Sequence, residues 1–358
     1  MKLTRMEVAP RRVRLTVPYR IAGRAFDAAD IVFLVLFDDD GGVGYGSASP
    51  VPPLTGDDAG TAARALDVAV RAALVGSDIF DLDAAIGRAA TACGPARSAL
   101  AAADIALHDL HARRRGVPLV EFLGGSPRPL TTSITIGIGD RTSMVEAARR
   151  HVERGFTCLK VKIGEDAAGD VRRLTLIREA VGPAVTIRVD ANEGYTLAEA
   201  LEVERRLEDL DIELFEQPVA AGRVIDLAQV ARAGSVPVVA DEAVKVAADL
   251  APLVSAGAAH GANIKLMKCG GIAEARRIDG TLAGAGWRAL VGCMDESRVS
   301  IAAALHFAAA ARSVAWIDLD GHFDLASDPF SGGFTMEGGT MTPSAAPGLG
   351  VSFLGFNS

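Results

Sequence analysis

Cys158-Leu159-Lys160-Val161-Lys162-Ile163 sets two lysines among strong β-formers. Side chains alternate along a strand, so Lys160 and Lys162 share one face and Leu159, Val161 and Ile163 the other. In a half-exposed strand those lysines would simply sit in water. The surrounding sequence argues against that. At intervals of about 25 residues another short apolar strand recurs, ending in a charged residue, with a helical pattern between. The first such strand is Thr132 to Ile136, and the second carries the lysines. Thr186 to Asp190, Ile212 to Glu216, Val236 to Ala240, Ala262 to Leu266, Ala289 to Cys293 and Val314 to Asp318 follow. This is the pattern of a (β/α) barrel, whose strands are covered on both faces. Lysines aimed inward at a strand's C-terminal end there belong to a site.

Upstream, residues 2 to 17 read as one long strand ending at Val17-Pro18, followed by a loop that holds Arg20, Gly23, Arg24 and Phe26. A strand from Ile31 to Phe37 turns at Asp39-Asp40-Gly41 into another, Val43 to Ser47. Gly42, Gly44 and Gly46 resemble a nucleotide-binding loop superficially, but no helix opens after them, so a phosphate cradle is missing. Helices at roughly 58–75, 79–91 and 95–115 complete an α+β unit. The helix after the seventh barrel strand is Ala-rich, Ile301 to Ala311, and none is evident after Asp320. The expected architecture is α/β, a modified TIM barrel of the form (β/α)7β. It places an N-terminal α+β capping domain at 1–127, the chemistry-bearing barrel at 128–321 and a Gly- and Pro-dense segment, 322–358, that returns to the cap.

The 358 residues exceed one ordinary domain and suit a barrel of some 250 residues with a second domain. A formal net charge of −8 and the lack of any Lys/Arg cluster argue against nucleic acid or an anionic membrane as partner. The longest early apolar run, Ile31 to Phe37, is only strand-length, so a cytoplasmic protein acting on a small molecule is expected. Cys93, Cys158, Cys269 and Cys293 form no CxxC pair and read as reduced core thiols. His108 and His111 share a helix face without a HExxH frame, which points to packing.

Catalytic groups of such barrels stand at the C-terminal strand ends. Asp190, Glu216 and Asp241 end three successive strands, and three carboxylates so placed repel unless a cation neutralises them. An all-oxygen set suits a hard divalent ion, Mg²⁺. Lys162 and Lys265 lie four strands apart in an eight-strand barrel, hence on opposite sides of the mouth. Such a pair can take a proton from one face of a carbon and return one to the other. Burial, Lys160 and the metal are expected to lower the lysine pKa toward neutrality. The proton would be α to a carboxylate, with Mg²⁺ stabilising the enediolate by several kcal/mol. Asp318 and Asp320 share a face of the eighth strand, across from the metal, and ask for a cation such as an α-ammonium group.

These residues carry a resemblance. Lys160-Val161-Lys162, Asp190-Ala191-Asn192, Glu216-Gln217-Pro218, Asp241-Glu242 and Asn263-Ile264-Lys265 fall in the order and spacing of the enolase superfamily, muconate-lactonizing subgroup. The match spans nearly the whole chain, including Gly348-Leu349-Gly350. Lys265-Leu266-Met267-Lys268-Cys269-Gly270-Gly271 and Asp318-Leu319-Asp320 resemble the dipeptide epimerases within it. The resemblance implies Lys162 and Lys265 as bases, Lys160 as an aid at the substrate carboxylate, and Asp318 and Asp320 on the substrate ammonium. Arg24 falls where Ala-Glu epimerases have an arginine that meets the glutamate side chain, which makes L-Ala-L-Glu a first expectation. Phe26, Thr135, Asn192, Lys268, Asp295 and Glu296 complete the candidate substrate-binding set. Two positions depart from the family pattern: His108 replaces a usual tryptophan, and Asp295 replaces an aliphatic residue. An acid there would pair with Arg24 or Arg298, or select a cationic side chain. The resemblance also implies a homo-oligomer. Its alternatives are N-acylamino acid racemisation, o-succinylbenzoate synthesis, muconate-type cycloisomerisation and a metal-binding scaffold without catalysis.

Overall fold

The computed structural model describes residues 1–356; Asn357 and Ser358, the end of the expected C-terminal segment, lie outside the described residues. The chain opens on an antiparallel hairpin of β1 (Leu3–Ile21) and β2 (Arg24–Asp38), to which β3 (Val43–Ala48) adds a third strand. This corrects the expected loop around Arg20, Arg24 and Phe26. Pairing lapses between Arg14 and Tyr19, where Pro18 has no N–H to give, then resumes as Tyr19↔Phe26, Arg20↔Ala25 and Ile21↔Arg24. The turn falls at Ala22-Gly23, with Gly23 at φ 69.

Alternation along β2 gives the sheet two apolar faces. Val32, Leu34 and Leu36 pack into the core under the cap helices, whereas Ile31 and Phe33 join the core of the barrel. The first expected cap helix runs as Ala59–Arg64 and Arg71–Leu74 about a π-helical turn, Ala65–Val70. The second begins later than read, as Leu82–Cys93, because Asp81 caps it by accepting the Ala84 N–H at 3.0 Å. The third, Arg97–Arg114, is buried along most of its length. Gly44 and Gly46 explain themselves here: a Cβ at either would collide with the carbonyl of Ala106 or Ala102, so they let β3 lie directly on this helix. On the helix's other side, Asp104 accepts the N–H groups of Ile272 and Ala273 at 2.6 and 3.2 Å and caps the barrel helix Ile272–Ala285.

After the short β4 (Leu130–Thr131) come β5 (Ile134–Ile136), β6 (Cys158–Lys162), β7 (Thr186–Asp190), β8 (Ile212–Glu216), β9 (Val238–Ala240), β10 (Gly261–Lys265), β11 (Arg288–Gly292) and β12 (Val314–Asp318). β5 to β12 are parallel and in chain order, and a bridge between Thr132 and Ile317 brings the first strand to the last. β5 is shorter than read because Thr132 takes other partners: its N–H goes to Gly339 O and its hydroxyl accepts the Leu319 N–H. The helix after β11 is Arg298–Ala310, starting earlier than expected on a Ser297 cap.

Beyond β12 the chain forms β13 (Phe330–Gly332), β14 (Phe334–Glu337), β15 (Thr340–Pro343) and β16 (Val351–Phe353). β13 pairs with β16, and β15 bridges β14 and β4. The Leu349 N–H donates to Asp109 at 2.7 Å and Arg113 donates to Val351 O at 3.1 Å, which ties this segment to helix Arg97–Arg114. Among the described residues no helix is long and apolar enough to cross a membrane.

Candidate active site

Strand register brings the key groups level. Lys162 pairs with Asp190, Asp190 with Glu216 and Glu216 with Val239; Asp241 follows two residues later, just past the end of β9. Lys265 stands level with Gly292, and Gly292 with Asp318. Asn192, Glu193 and Gln217 take φ of 42, 69 and 34, so the chain leaves β7 and β8 through left-handed turns that keep Asp190 and Glu216 buried at the mouth. Gln217 fixes the third carboxylate's backbone by accepting the N–H groups of Asp241 and Ala243 at 2.8 and 3.2 Å.

Each of the three carboxylates meets a lysine. Lys160 Nζ lies 2.8 Å from Glu216 Oε2, 3.1 Å from Asp190 Oδ2 and 2.8 Å from Asp318 Oδ2. Lys162 reaches Asp190 at 2.6 Å, and Lys265 and Lys268 reach the two oxygens of Asp241 at 2.8 and 2.6 Å. Asn263, facing the same way as Lys265, donates to Glu216 Oε1 at 2.7 Å. Burial pushes Asp190 up, but Lys162 and Lys160 outweigh it and hold the carboxyl at about 2. Asp241 is held low for the same reason, by Lys265 and Lys268. Glu216 goes the other way, to about 6, because burial and Asp190 outweigh Lys160.

The expected lowering of lysine pKa is not what these neighbours produce. Burial works against a charged Lys265, yet Asp241, Glu216 and Glu242 overcome it and raise the group, and Lys160 is raised likewise by Asp318, Glu216 and Asp190. Among the described residues no three acidic, Cys or His side chains close on a common point, since lysine nitrogens stand among the oxygens. The donor set nevertheless fits a hard divalent ion. It is all oxygen and fully buried, and unsatisfied oxygens remain on Asn192 (Oδ1) and Glu242 (Oε2). Glu216 Oε2 has Lys160 close by but no aligned hydrogen bond.

A cavity of about 750 Å³ opens above these strand ends, lined by Lys160, Lys162, Lys265, Asn192, Glu242, Asp318 and Asp320, together with Arg24, Phe26, Thr135 and Asp295. Asp190, Glu216 and Asp241 do not line it, nor do Lys268 and Glu296, which are both buried. Glu296 instead accepts the Met294 N–H at 2.9 Å, and burial pushes it to about 7. A second cavity, of about 410 Å³, lies at the opposite ends of the strands, where the buried Arg188 is already paired with Glu213 at 2.6 Å and Ile317 O at 2.7 Å.

The far wall of the main cavity is acidic. Asp318 accepts from Ser133 at 2.7 Å and from Lys160, and is held low. Asp320 accepts the Thr135 N–H on one oxygen at 2.6 Å and its other oxygen meets the Cys293 thiol at 3.9 Å; burial and Asp318 raise it to about 6 against the pull of the Thr135 side chain and N–H. Asp295 meets neither arginine once considered for it. Arg24 is exposed and makes no ion pair among the described residues, and Arg298 donates to Gly332 O and Phe334 O. The partner of Asp295 is the hydroxyl of Tyr19, 3.1 and 3.2 Å from its oxygens, and Tyr19 stacks on Phe26 at 5.2 Å. Tyr19 escaped the sequence reading because its strand was ended too early. Asp324, four residues beyond Asp320, also lines the cavity, and burial with the repulsion of Asp320 and Asp295 raises it to about 7.

Residues 3–124 match the N-terminal domain of mandelate racemase / muconate lactonizing enzyme, and residues 143–354 match the enolase C-terminal domain-like family. The chain belongs to the enolase superfamily. Among superfamily relatives, an L-Lys-D/L-Arg epimerase of Methylococcus capsulatus is 41% identical over 354 residues, 99% of either chain. A crystallised dipeptide epimerase of that organism, complexed with Mg and the dipeptide L-Arg-D-Lys, superposes with a TM-score of 0.94 at 40% identity, covering 99% of this chain and all of that one (100%). A substrate-liganded L-Ala-D/L-Glu epimerase of Bacillus subtilis superposes with a TM-score of 0.95 at 36% identity, covering 98% of this chain and 99% of that one.

Proposed function

We propose that this protein is a Mg²⁺-dependent dipeptide epimerase, an isomerase inverting the α-carbon of a dipeptide's C-terminal residue. The observation that carries the reading is the placement of Lys162 and Lys265 on β6 and β10, four strands apart in the barrel order, with both side chains lining one cavity. A lysine on each side of a carbon, one as the neutral amine that accepts a proton and the other as the ammonium that gives one, is the arrangement an inversion needs. Asp190, Glu216 and Asp241 would hold Mg²⁺, which supplies positive charge against the substrate carboxylate and so acidifies the α-proton.

The remaining steps fall to this chain's residues. Lys162, as the neutral amine, takes the proton from one face and Lys265, as the ammonium, delivers one to the other, with protonation states and roles exchanged for the opposite epimer. Lys160, between Glu216 and Asp318, offers its charge to the substrate carboxylate. Lys268 stays behind Asp241 and steadies it, with a further bond to Asn263 O at 3.0 Å. Asp320, with one oxygen free of strong donors, receives the α-ammonium group. That wall also favours a free dipeptide over an N-acylated amino acid, which would bring it no cation.

Incubation of L,L-dipeptides in deuterated water tests the reading. Turnover adds one mass unit at the α-carbon; chelation should abolish the gain and Mg²⁺ restore it. Undiminished exchange in a protein shown to be metal-free would sink the metal-dependent mechanism. The relatives do not agree on side chains: one acts on Lys and Arg, another on Ala and Glu.

A further inference from the structure

The cavity wall beyond β11 and β12 holds carboxylates that no lysine or arginine of the described residues contacts as an ion pair, although Lys162, Lys160 and Arg154 offset part of the charge of Asp295, Asp320 and Asp324 from a distance. Asp295 and Asp320 expose 9% and 6% of their surface, and neither, nor Asp324, forms an ion pair with Lys or Arg among the described residues. Tyr19 has one hydroxyl proton to offer Asp295 for two oxygens. The carboxylate of Asp324 has no hydrogen-bond donor from the described protein, and the neighbouring Arg154 instead lies over the rings of Phe156 and Phe323, at 5.5 and 5.7 Å. Buried acids that repel one another and open onto a common cavity are stabilised by a cation brought from outside.

Their position says which part of a dipeptide brings it. The substrate carboxylate belongs over the β7 to β9 carboxylates and the reacting carbon between Lys162 and Lys265, so the α-ammonium falls at Asp320. One α-ammonium group cannot also satisfy Asp295 and Asp324, which flank Asp320 and whose repulsion is felt among the three. We infer that the preferred substrate has a basic side chain on its N-terminal residue, read by Asp295 and Asp324. The inference rests on the epimerase reading and narrows it. It also departs from the first expectation of an L-Ala-L-Glu-like substrate, which leaned on Arg24, a residue that lines the cavity from the hairpin tip.

The test compares kcat/KM for L-lysyl-L-alanine and L-norleucyl-L-alanine, which share chain length but not charge, on wild type, Asp295→Asn, Asp324→Asn and the double variant. Wild type should favour the lysyl dipeptide by roughly tenfold or more. Each single variant should shrink that ratio, and the double variant should bring it near one. A wild-type ratio near one, or a preference that survives in the double variant, overturns the inference. The wild-type arm needs no substitution, so a misfolded variant leaves it standing. Exchange of L-alanyl-L-alanine with no preference for charge sinks this inference alone. Absence of α-proton exchange in every dipeptide with Mg²⁺ present sinks the epimerase reading and this one with it.

Discussion

The two halves of the barrel mouth handle negative charge in opposite ways. From β6 to β10, Asp190, Glu216 and Asp241 each have a lysine nitrogen within 3.1 Å, and Asp190 and Asp241 are held well below their ordinary values, while burial raises Glu216 to about 6 and Glu242, which has no ion pair among the described residues, to about 8. Beyond β11 and β12, Asp295, Asp320 and Asp324 have hydroxyl, amide or no donors and are pushed up to about 6, 6 and 7. In the first, closed arc, lysines of the protein meet Asp190, Glu216 and Asp241 directly. The other stays open and is completed only by what it binds. On the epimerase reading proposed above, the first arc carries the chemistry and the second the selectivity.

Breaking the closed arc should have the largest effect. Lys162→Ala and Lys265→Ala should each reduce epimerisation by about 10²–10⁴-fold, the usual worth of a positioned acid or base. Each should lose α-proton exchange with one epimer and keep it with the other, as read by mass gain in deuterated water. If both variants exchange both epimers like wild type, the lysines do not divide the two faces.

The open arc is probed next. Asp320→Asn should cost roughly 1.5–3 kcal/mol of transition-state binding, a tenfold or greater fall in kcat/KM for free dipeptides. N-acetylation of the substrate should then harm wild type far more than the variant. Equal sensitivity of the two enzymes would detach Asp320 from the ammonium.

A smaller effect sharpens the contrast through stability. The folded pKa of Asp295, about 6, lies above its unfolded value, so its ionisation opposes folding. That cost is absent at low pH, develops as pH rises from about 4 to 6, and is full above. Asp295→Asn should therefore gain on the order of 1 kcal/mol at pH 8 and little at pH 4.5, compared by urea midpoints without ligand. A gain of the same size at both pH values would mean that the burial of a charged carboxylate, with the repulsion of Asp320, is not what the substitution relieves.

The smallest effect belongs to a buried charge pair that is compensated internally. Burial works against a charged His108, but Asp104, at 3.2 Å, outweighs it and raises the imidazole, with Arg276 opposing. A raised folded pKa gives stability that is full below about pH 6.5 and lost as pH climbs through the folded value. Wild type should exceed His108→Gln by about 0.5–1 kcal/mol at pH 6, with the margin closing at higher pH. A margin that widens with pH would reverse the sign and the assignment.

Much of the closed arc was legible because strand ends announce themselves. Asp190, Glu216, Lys162 and Lys265 each terminate a short apolar run of fixed period, and in a barrel that alone fixes their side and level. Which carboxylates each lysine meets was not legible. It depends on distances between side chains from non-adjacent strands, such as Lys160 to Asp318, which no periodicity encodes. The open arc was half legible: Asp318-Leu319-Asp320 shows its shared face, whereas the Tyr19–Asp295 contact joins residues 276 apart, from a hairpin and a loop. Pro18 masked Tyr19, since a proline reads as a strand end even where pairing resumes past it.

Helix Arg97–Arg114 bears on how such a protein can be recombined. Ala102 and Ala106 lie in the core beneath the cap sheet, Ala101, Ile105 and Ala112 in the core of the barrel, and Asp104 holds the start of a barrel helix. A chimaera joining this cap to a foreign barrel would keep the chain connected but mismatch one side of the helix. Cap and barrel therefore share this helix as one packing unit.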